Sequence, residues 1–214
     1  MSKKAVIFDL DGVIVSTDEY HYRAWKRIAD EEGIYFDREI NEKLRGVSRM
    51  DSLEIILKNA QKSYGEEEKR QLAMRKNNYY KELLSQLTPA DILPGAMEVL
   101  KELKERSIKV AIGSSSKNTP FILEKIGLAD YFDAVADGNW IKNSKPDPEV
   151  FLLAAKMLKI SPEACVVVED SEAGIEAALA GGMKAVGVGY ACRCTKAHYV
   201  AKDLSCIKID ELLF

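Results

Sequence analysis

From residue 95 onward, short apolar runs alternate with segments of helical periodicity. AMEVLKELKERS spaces its apolar positions as a helix does and follows Pro94-Gly95, and KVAIGSSS reads as a short buried strand ending in small hydroxyl residues. TPFILEKIG predicts a helix stopped by Gly127, and DAVAD (133–137) a short strand. PEVFLLAAKMLKI predicts a helix with Pro148 in its first turn. ACVVVED (164–170) predicts a strand, SEAGIEAALAGG a helix ending in glycines, and KAVGVG a further strand. Apolar β runs alternating with helices imply a parallel sheet covered on both faces, and the first run, KKAVIFD, fits the same sheet.

Residues 18–87 break that rhythm. EYHYRAWKRIADEEG predicts an amphipathic helix ending at Gly33, and Ser48 with Asp51 resembles a capping box opening RMDSLEIILKNA. The segment from Glu66 to Leu87 puts three acids in its first turn, where they favour the helix dipole. No convincing strand occurs in this stretch. The pattern predicts an α/β core, residues 1–15 and 92–214, interrupted after its first strand by an all-helical insertion, residues 16–91. There is no internal repeat and no low-complexity segment.

Composition narrows the picture. A chain of 214 residues that is 47% hydrophobic can bury a full core. A net charge of −3 argues against a nucleic-acid or anionic-membrane partner. The cysteines are Cys165, Cys192, Cys194 and Cys206. Cys165 opens an apolar run and reads as a core residue, and the Cys192-x-Cys194 spacing fits neither a zinc nor a thioredoxin motif, with only His198 nearby as a nitrogen ligand. Free thiols of a cytoplasmic protein are expected. The apolar stretch after MSKK is broken by Asp9, too early for a signal peptide or a membrane span.

The chemistry gathers at the strand ends. VIFDLDGVIV sets Asp9 and Asp11 into an apolar run beside Gly12. A buried, unpaired carboxylate costs several kcal/mol, on the order of 2–7 even for a neutral polar group, so both acids need partners. The second strand ends in Ser114-Ser115-Ser116, Lys145-Pro146 follows DAVAD, and a later strand ends in Glu169-Asp170. In an open parallel sheet these positions converge on one rim. Carboxylates from two strand ends suit octahedral Mg²⁺, and a lysine with a serine hydroxyl would cradle phosphoryl oxygens. Such a set makes a phosphoryl-transfer site, with Asp9 as nucleophile and Asp11 as general acid and base. Taken singly each residue has a plainer reading: Asp9 as a turn residue, Ser114 in a loop, Lys145 solvated, Glu169-Asp170 opening a helix. Their order and their common place at strand ends favour the site.

The motifs DLDGV, GSSS, SKPDP and VVEDSEAGIEAA resemble those of the haloacid dehalogenase superfamily, across nearly the whole chain. The resemblance implies a Rossmann-like parallel-sheet core, with the helical insertion as the small cap that closes over the site in one branch. EYHYRAWKRIADEEGI, RGVSRMDSLEIIL, RKNNYY, LTPADILPG and SSSKNTPFILEKIGL are similar to the sugar-phosphate mutases of that branch. What this implies is a monomer acting on a small phosphosugar, interconverting β-glucose 1-phosphate and glucose 6-phosphate with Mg²⁺ and with β-glucose 1,6-bisphosphate as intermediate and activator. The resemblance further implies metal binding by Asp9, the Asp11 carbonyl, Glu169 and Asp170, and a transferring phosphoryl group held by Ser114 and Lys145. It assigns the distal phosphate to Arg49, helped by Ser116, Lys117 and Asn118, with Ser115 in the same loop. Thr17 lies at the hinge. His21, Trp25, Gly46, Val47, Ser52, Lys76 and Asn77 match cap positions that meet the sugar or couple closure to catalysis. From the residues alone, His21 reads as a solvated or capping histidine and Trp25 as core packing. Two positions depart from the family: Ser16 stands where Asp is usual, and Arg45 where Lys is usual. A phosphatase on the same core is the alternative, because the four motifs do not distinguish water from a sugar hydroxyl as the final acceptor. A phospho-accepting signalling domain is disfavoured by the large insertion and the DxDG spacing, and a silent binding protein by the full catalytic set.

Overall fold

The structure is a computed structural model that describes residues 4–45 and 47–213. In chain order the elements are β1 (Ala5–Phe8), α1 (Asp18–Glu32), α2 (Arg38–Glu42), α3 (Arg49–Leu57), α4 (Glu66–Leu84), α5 (Ala96–Glu105), β2 (Lys109–Gly113), α6 (Thr119–Lys125), β3 (Ala134–Ala136), α7 (Glu149–Leu158), β4 (Cys165–Glu169), α8 (Glu172–Ala180), β5 (Lys184–Gly187), β6 (Tyr199–Val200) and α9 (Ile209–Leu212). Contacts divide them into two compact units, one of residues up to Ser16 and from Thr88 onward, the other Thr17–Leu87.

The first unit is a six-stranded sheet in the order β3-β2-β1-β4-β5-β6, with every neighbouring pair parallel. Its central strands are unbroken apolar runs because both faces are covered, and Ala5 to Phe8 and Cys165 to Val168 are fully buried. Register sets the function of the rim. Phe8 lies level with Ile112 of β2 and Val168 of β4, so Asp9, Gly113 and Glu169 leave the sheet at one height. Gly113 in turn pairs with Ala136, which brings residues 114 and 137 out together.

Every regular element among the described residues of the second unit is a helix. Trp25, Ile28, Ala29, Leu53, Ile56, Leu72 and Ala73, on the apolar stripes of α1, α3 and α4, form the unit's core together with Phe36 from the connection before α2. Gly33 closes α1 in the left-handed conformation, its N–H donating to Ala29 and Asp30 carbonyls. Ser48 caps α3 by accepting from the Asp51 N–H at 3.3 Å.

Several boundaries differ from the pattern reading. Ser16 and residues 88–91 group with the sheet unit, where Val15 bridges to Ile92 and the Leu93 N–H donates to the Ile14 carbonyl. Pro148 stands just before α7 rather than within its first turn, and α3 and α4 end at Leu57 and Leu84. Short α2, α9 and β6 carried too few residues to show a period. No disulfide joins the four cysteines, and Cys165 is buried. His198 Nδ1 accepts from the Ala185 N–H at 3.2 Å, which ties that ring to β5. Among the described residues no helix is long and apolar enough to cross a membrane.

Candidate active site

β1 ends at Phe8, and the Asp9 N–H still donates to the Val168 carbonyl at 2.9 Å, so the Asp9 backbone is fixed by the sheet while its side chain leaves it. Lys145 Nζ, on the 1%-exposed side chain of the loop after β3, donates to Asp9 Oδ1 at 2.8 Å and to Glu169 Oε1 at 2.5 Å. Glu169 Oε2 accepts from the Ser171 N–H at 2.7 Å and from the Ser171 hydroxyl at 2.8 Å. Ser171 Oγ also accepts from the Gly174 N–H, capping α8. The plainer reading of this motif as a helix opening is therefore true as well, and the cap also holds Glu169. Gly174 is required, since a Cβ there would lie 2.0 Å from Glu169 Cδ.

Burial dominates the electrostatics. It pushes the Asp9 carboxyl up to about 7, with Lys145 pulling down and Glu169 pushing up. Burial disfavours the Lys145 ammonium, yet the adjacent Asp9 and Glu169 carboxylates raise it above its ordinary range. Asp170, also buried, completes an acidic group in which Asp9, Glu169 and Asp170 each offer an oxygen within 4.8 Å of the others. Gly12, at φ 80°, makes room for it: a Cβ there would lie 2.1 Å from Asp170 Oδ2. An all-oxygen donor set of three clustered carboxyl groups suits a hard divalent cation. These residues fit Mg²⁺. Asp11 is half-buried in the tight turn that returns at Val15, with which it forms a bridge.

The loop after β2 is organised by its own serines. Ser114 Oγ accepts from the Ser116 N–H at 3.2 Å, and Ser116 Oγ from the Asn118 N–H at 3.2 Å. Each hydroxyl is oriented by accepting and keeps its proton to donate. Ser115 Oγ is buried with no partner among the described residues. Asn118 is buried ahead of α6, and Lys117 is exposed.

The helical unit carries a separate basic cluster. Lys76, 2% exposed, has its Nζ 2.8 Å from His21 Nδ1 and lies over the Tyr80 and Trp25 rings at 4.4 and 5.0 Å. Burial, followed by the charges of Lys76, Arg49 and Arg45, holds the His21 imidazolium well below its usual range. The ring is therefore neutral, accepts at Nδ1 from Lys76 and carries its proton on Nε2. It packs on Tyr80 with centroids 4.0 Å apart, and the Tyr80 hydroxyl meets Thr17 Oγ1 at 2.7 Å. His21 is thus neither a solvated nor a capping histidine. Trp25 is a core residue, as its pattern suggested, with Lys76 over its ring. Arg49 is half-buried, which lowers its pKa, and among the described residues no carboxylate pairs with it. Arg45 pairs with Asp18 and Glu42. Ser52 is buried, Val47 and Asn77 are half-buried, and Gly46 lies outside the described residues.

A profile of the family described as haloacid dehalogenase-like hydrolase matches residues 3–182. The chain belongs to that family. It is 47% identical over 98% of its length to a Bacillus subtilis protein named β-phosphoglucomutase, covering 93% of that relative. It is 32% identical, over 98% of this chain and 96% of the other, to a Thermotoga maritima protein named phosphorylated carbohydrates phosphatase. A crystal structure titled β-phosphoglucomutase from Clostridium difficile superposes with a TM-score of 0.92 at 44% identity, covering 97% of this chain and 94% of that one.

Sequence reading missed Tyr80, which touches both His21 and Thr17, and Ser171, which holds Glu169. Tyr80 sits at a core position of α4 and so looks like packing. Ser171 was visible only as a helix cap.

Proposed function

We propose that this chain is a Mg²⁺-dependent phosphosugar mutase that interconverts β-D-glucose 1-phosphate and D-glucose 6-phosphate through a phosphorylated Asp9 and β-glucose 1,6-bisphosphate. The observation that carries this reading is the buried Asp9–Lys145–Glu169 group with Asp170 at level strand ends, in a chain nearly half identical to a protein named for that activity.

Asp9, Glu169, Asp170 and the Asp11 carbonyl would hold the cation, which when bound supplies positive charge against the phosphoryl oxygens. An Asp9 carboxylate oxygen attacks phosphorus, forming the acyl phosphate as the bond from phosphorus to the sugar oxygen breaks. Asp11 gives its proton to that departing oxygen, and takes one from the sugar hydroxyl that attacks in the reverse sense. Lys145 keeps its proton throughout and, with the Ser114 hydroxyl, donates to the transferring group, so the negative charge that develops meets donors already in place. Glu169 positions Lys145. In the helical unit, Arg49 is the candidate grip for the second phosphate, because its charge has no carboxylate partner among the described residues. His21, Lys76 and Tyr80 form a fixed polar group beside Thr17 that we assign to sugar recognition and hinge coupling.

Phosphate release to water is the second reading, favoured by the relative named as a carbohydrate phosphatase. The deciding experiment supplies β-glucose 1-phosphate, Mg²⁺ and a trace of glucose 1,6-bisphosphate, and follows glucose 6-phosphate and free phosphate separately. Glucose 6-phosphate without matching phosphate is the expected result. Phosphate without isomerisation would make the chain a phosphatase.

A further inference from the structure

The turn after β3 carries none of the four motifs, yet it touches three consecutive peptide units of the serine loop. The Gly138 N–H donates to the Ser116 carbonyl at 3.2 Å, and Asn139 Nδ2 donates to the Lys117 carbonyl at 3.1 Å. The Ser115 carbonyl lies so close that a Cβ on Gly138 would fall 2.3 Å from its oxygen. The turn is itself pinned: buried Asp137 accepts the Asn139 N–H at 2.7 Å on Oδ1, and its carbonyl accepts the Trp140 N–H at 3.1 Å.

A trans peptide points its N–H opposite to its carbonyl. Carbonyls 115 to 117 drawn toward the turn therefore direct the N–H groups of 116 to 118 away from it. Two of those N–H groups are the ones that orient the Ser114 and Ser116 hydroxyls. Ser115 Oγ, buried without a partner, lies in the same loop as a donor that an anion's oxygen would satisfy.

We propose that Gly138 and Asn139 are positioning residues for the 114–118 loop, holding its carbonyls back so that its hydroxyl donors face a phosphoryl group. Asn139 is exposed and contributes through one side-chain amide, so its role is separable from folding. The inference rests on the phosphoryl-transfer reading of that loop.

The test titrates inorganic phosphate into the Mg²⁺-loaded protein by calorimetry, for wild type, Ser114→Ala, Asn139→Ala, Asn139→Asp, Asn139→Gln and Gly138→Ala, with thermal unfolding alongside. Losing one hydrogen bond that orders the donors should weaken phosphate about fivefold in Asn139→Ala. Asn139→Asp, which sets a carboxylate against the Lys117 carbonyl, should be weaker still, and Asn139→Gln should recover part of the loss. Gly138→Ala should weaken binding by pushing on Ser115. Melting temperatures of the Asn139 variants should stay close to wild type. Wild-type affinity in Asn139→Ala and Gly138→Ala, with binding lost in Ser114→Ala, overturns the positioning role and leaves the phosphate site standing. Losses that follow melting temperature without the Ala, Asp, Gln order overturn it too, as a purely structural effect. Unchanged binding in Ser114→Ala removes the phosphate reading, and this inference with it.

Discussion

At the scale of single residues, the site depends on atoms that are absent as much as on those present. Gly12 gives up its Cβ so that Asp170 can approach, and its backbone lies in the left-handed region. Gly12→Ala is expected to displace the Asp170 carboxylate, weakening Mg²⁺ more than about tenfold by calorimetry while circular dichroism stays native. Unchanged affinity would show that Asp170 has no place among the ligands. His21 makes a second prediction. The folded state holds it neutral, whereas in the unfolded chain it titrates near 6.5. Below that pH the unfolded state takes up a proton that the folded state refuses, so the contribution of His21 to stability falls as pH falls. The slope reaches up to about 1.4 kcal/mol per pH unit for one proton. Asp9, pushed up to about 7, contributes in the opposite sense over the same range, so the His21 slope is read as the difference in urea stability between wild type and His21→Asn from about pH 7.5 to about pH 5.5. A wild-type slope retained in His21→Asn would refute the neutral, Lys76-bonded imidazole.

At the scale of elements, the helical unit is tied across α1 and α4 by Arg75. Its guanidinium pairs with Glu31 and, at 3.1 Å, with Glu32, while Tyr79 donates to Glu31 and Tyr64 to Glu32. Burial works to raise both carboxyls, and the hydrogen bonds from Arg75 and the tyrosines outweigh it, leaving both below 4.5. A depressed carboxyl stabilises the fold above its unfolded pKa and loses that contribution as pH drops through the folded value. The pairing should therefore be intact near neutrality and lost only in acid, below pH 4.5. Arg75 is 41% exposed, so screening limits its worth. Arg75→Ala should cost about 1 kcal/mol by chemical denaturation at neutral pH, with the cost shrinking in acid. A cost independent of pH would assign the loss to packing of its stem instead. In the sheet unit, register does the comparable work, since a slip of β4 against β1 by one residue would turn Glu169 away from Lys145.

At the scale of the whole molecule, mutase and phosphatase share one core chemistry and differ in what is held besides the transferring group. Arg49→Ala should reduce turnover of β-glucose 1-phosphate with its bisphosphate at least about tenfold, because an arginine–phosphate contact is charge-assisted. Hydrolysis of a small acyl phosphate, which carries no second phosphate, should change little. Equal losses in the two assays would remove the distal-phosphate role from Arg49.

The alternation of apolar runs and helical periods determined the parallel sheet, and DxDG, the serine loop, KP and ED marked its rim, because buried strands and polar strand ends are local properties of the chain. Asp9, Asp11 and Lys145 were legible as polar residues at that rim for the same reason, whereas the bond from Lys145 to Asp9 was not. Other features came only from the fold. Lys145 meets Glu169 across two elements and a strand register, and one Glu169 oxygen accepts from Lys145 and the other from Ser171. His21 is neutral because α4 brings Lys76 to its Nδ1, 55 positions away in the chain. The 137–139 turn lies in none of the four motifs and gains its meaning only from the three carbonyls packed against it. Local pattern reports which side a residue faces; partners distant in sequence, and the charge states they impose, exist only once the chain has folded.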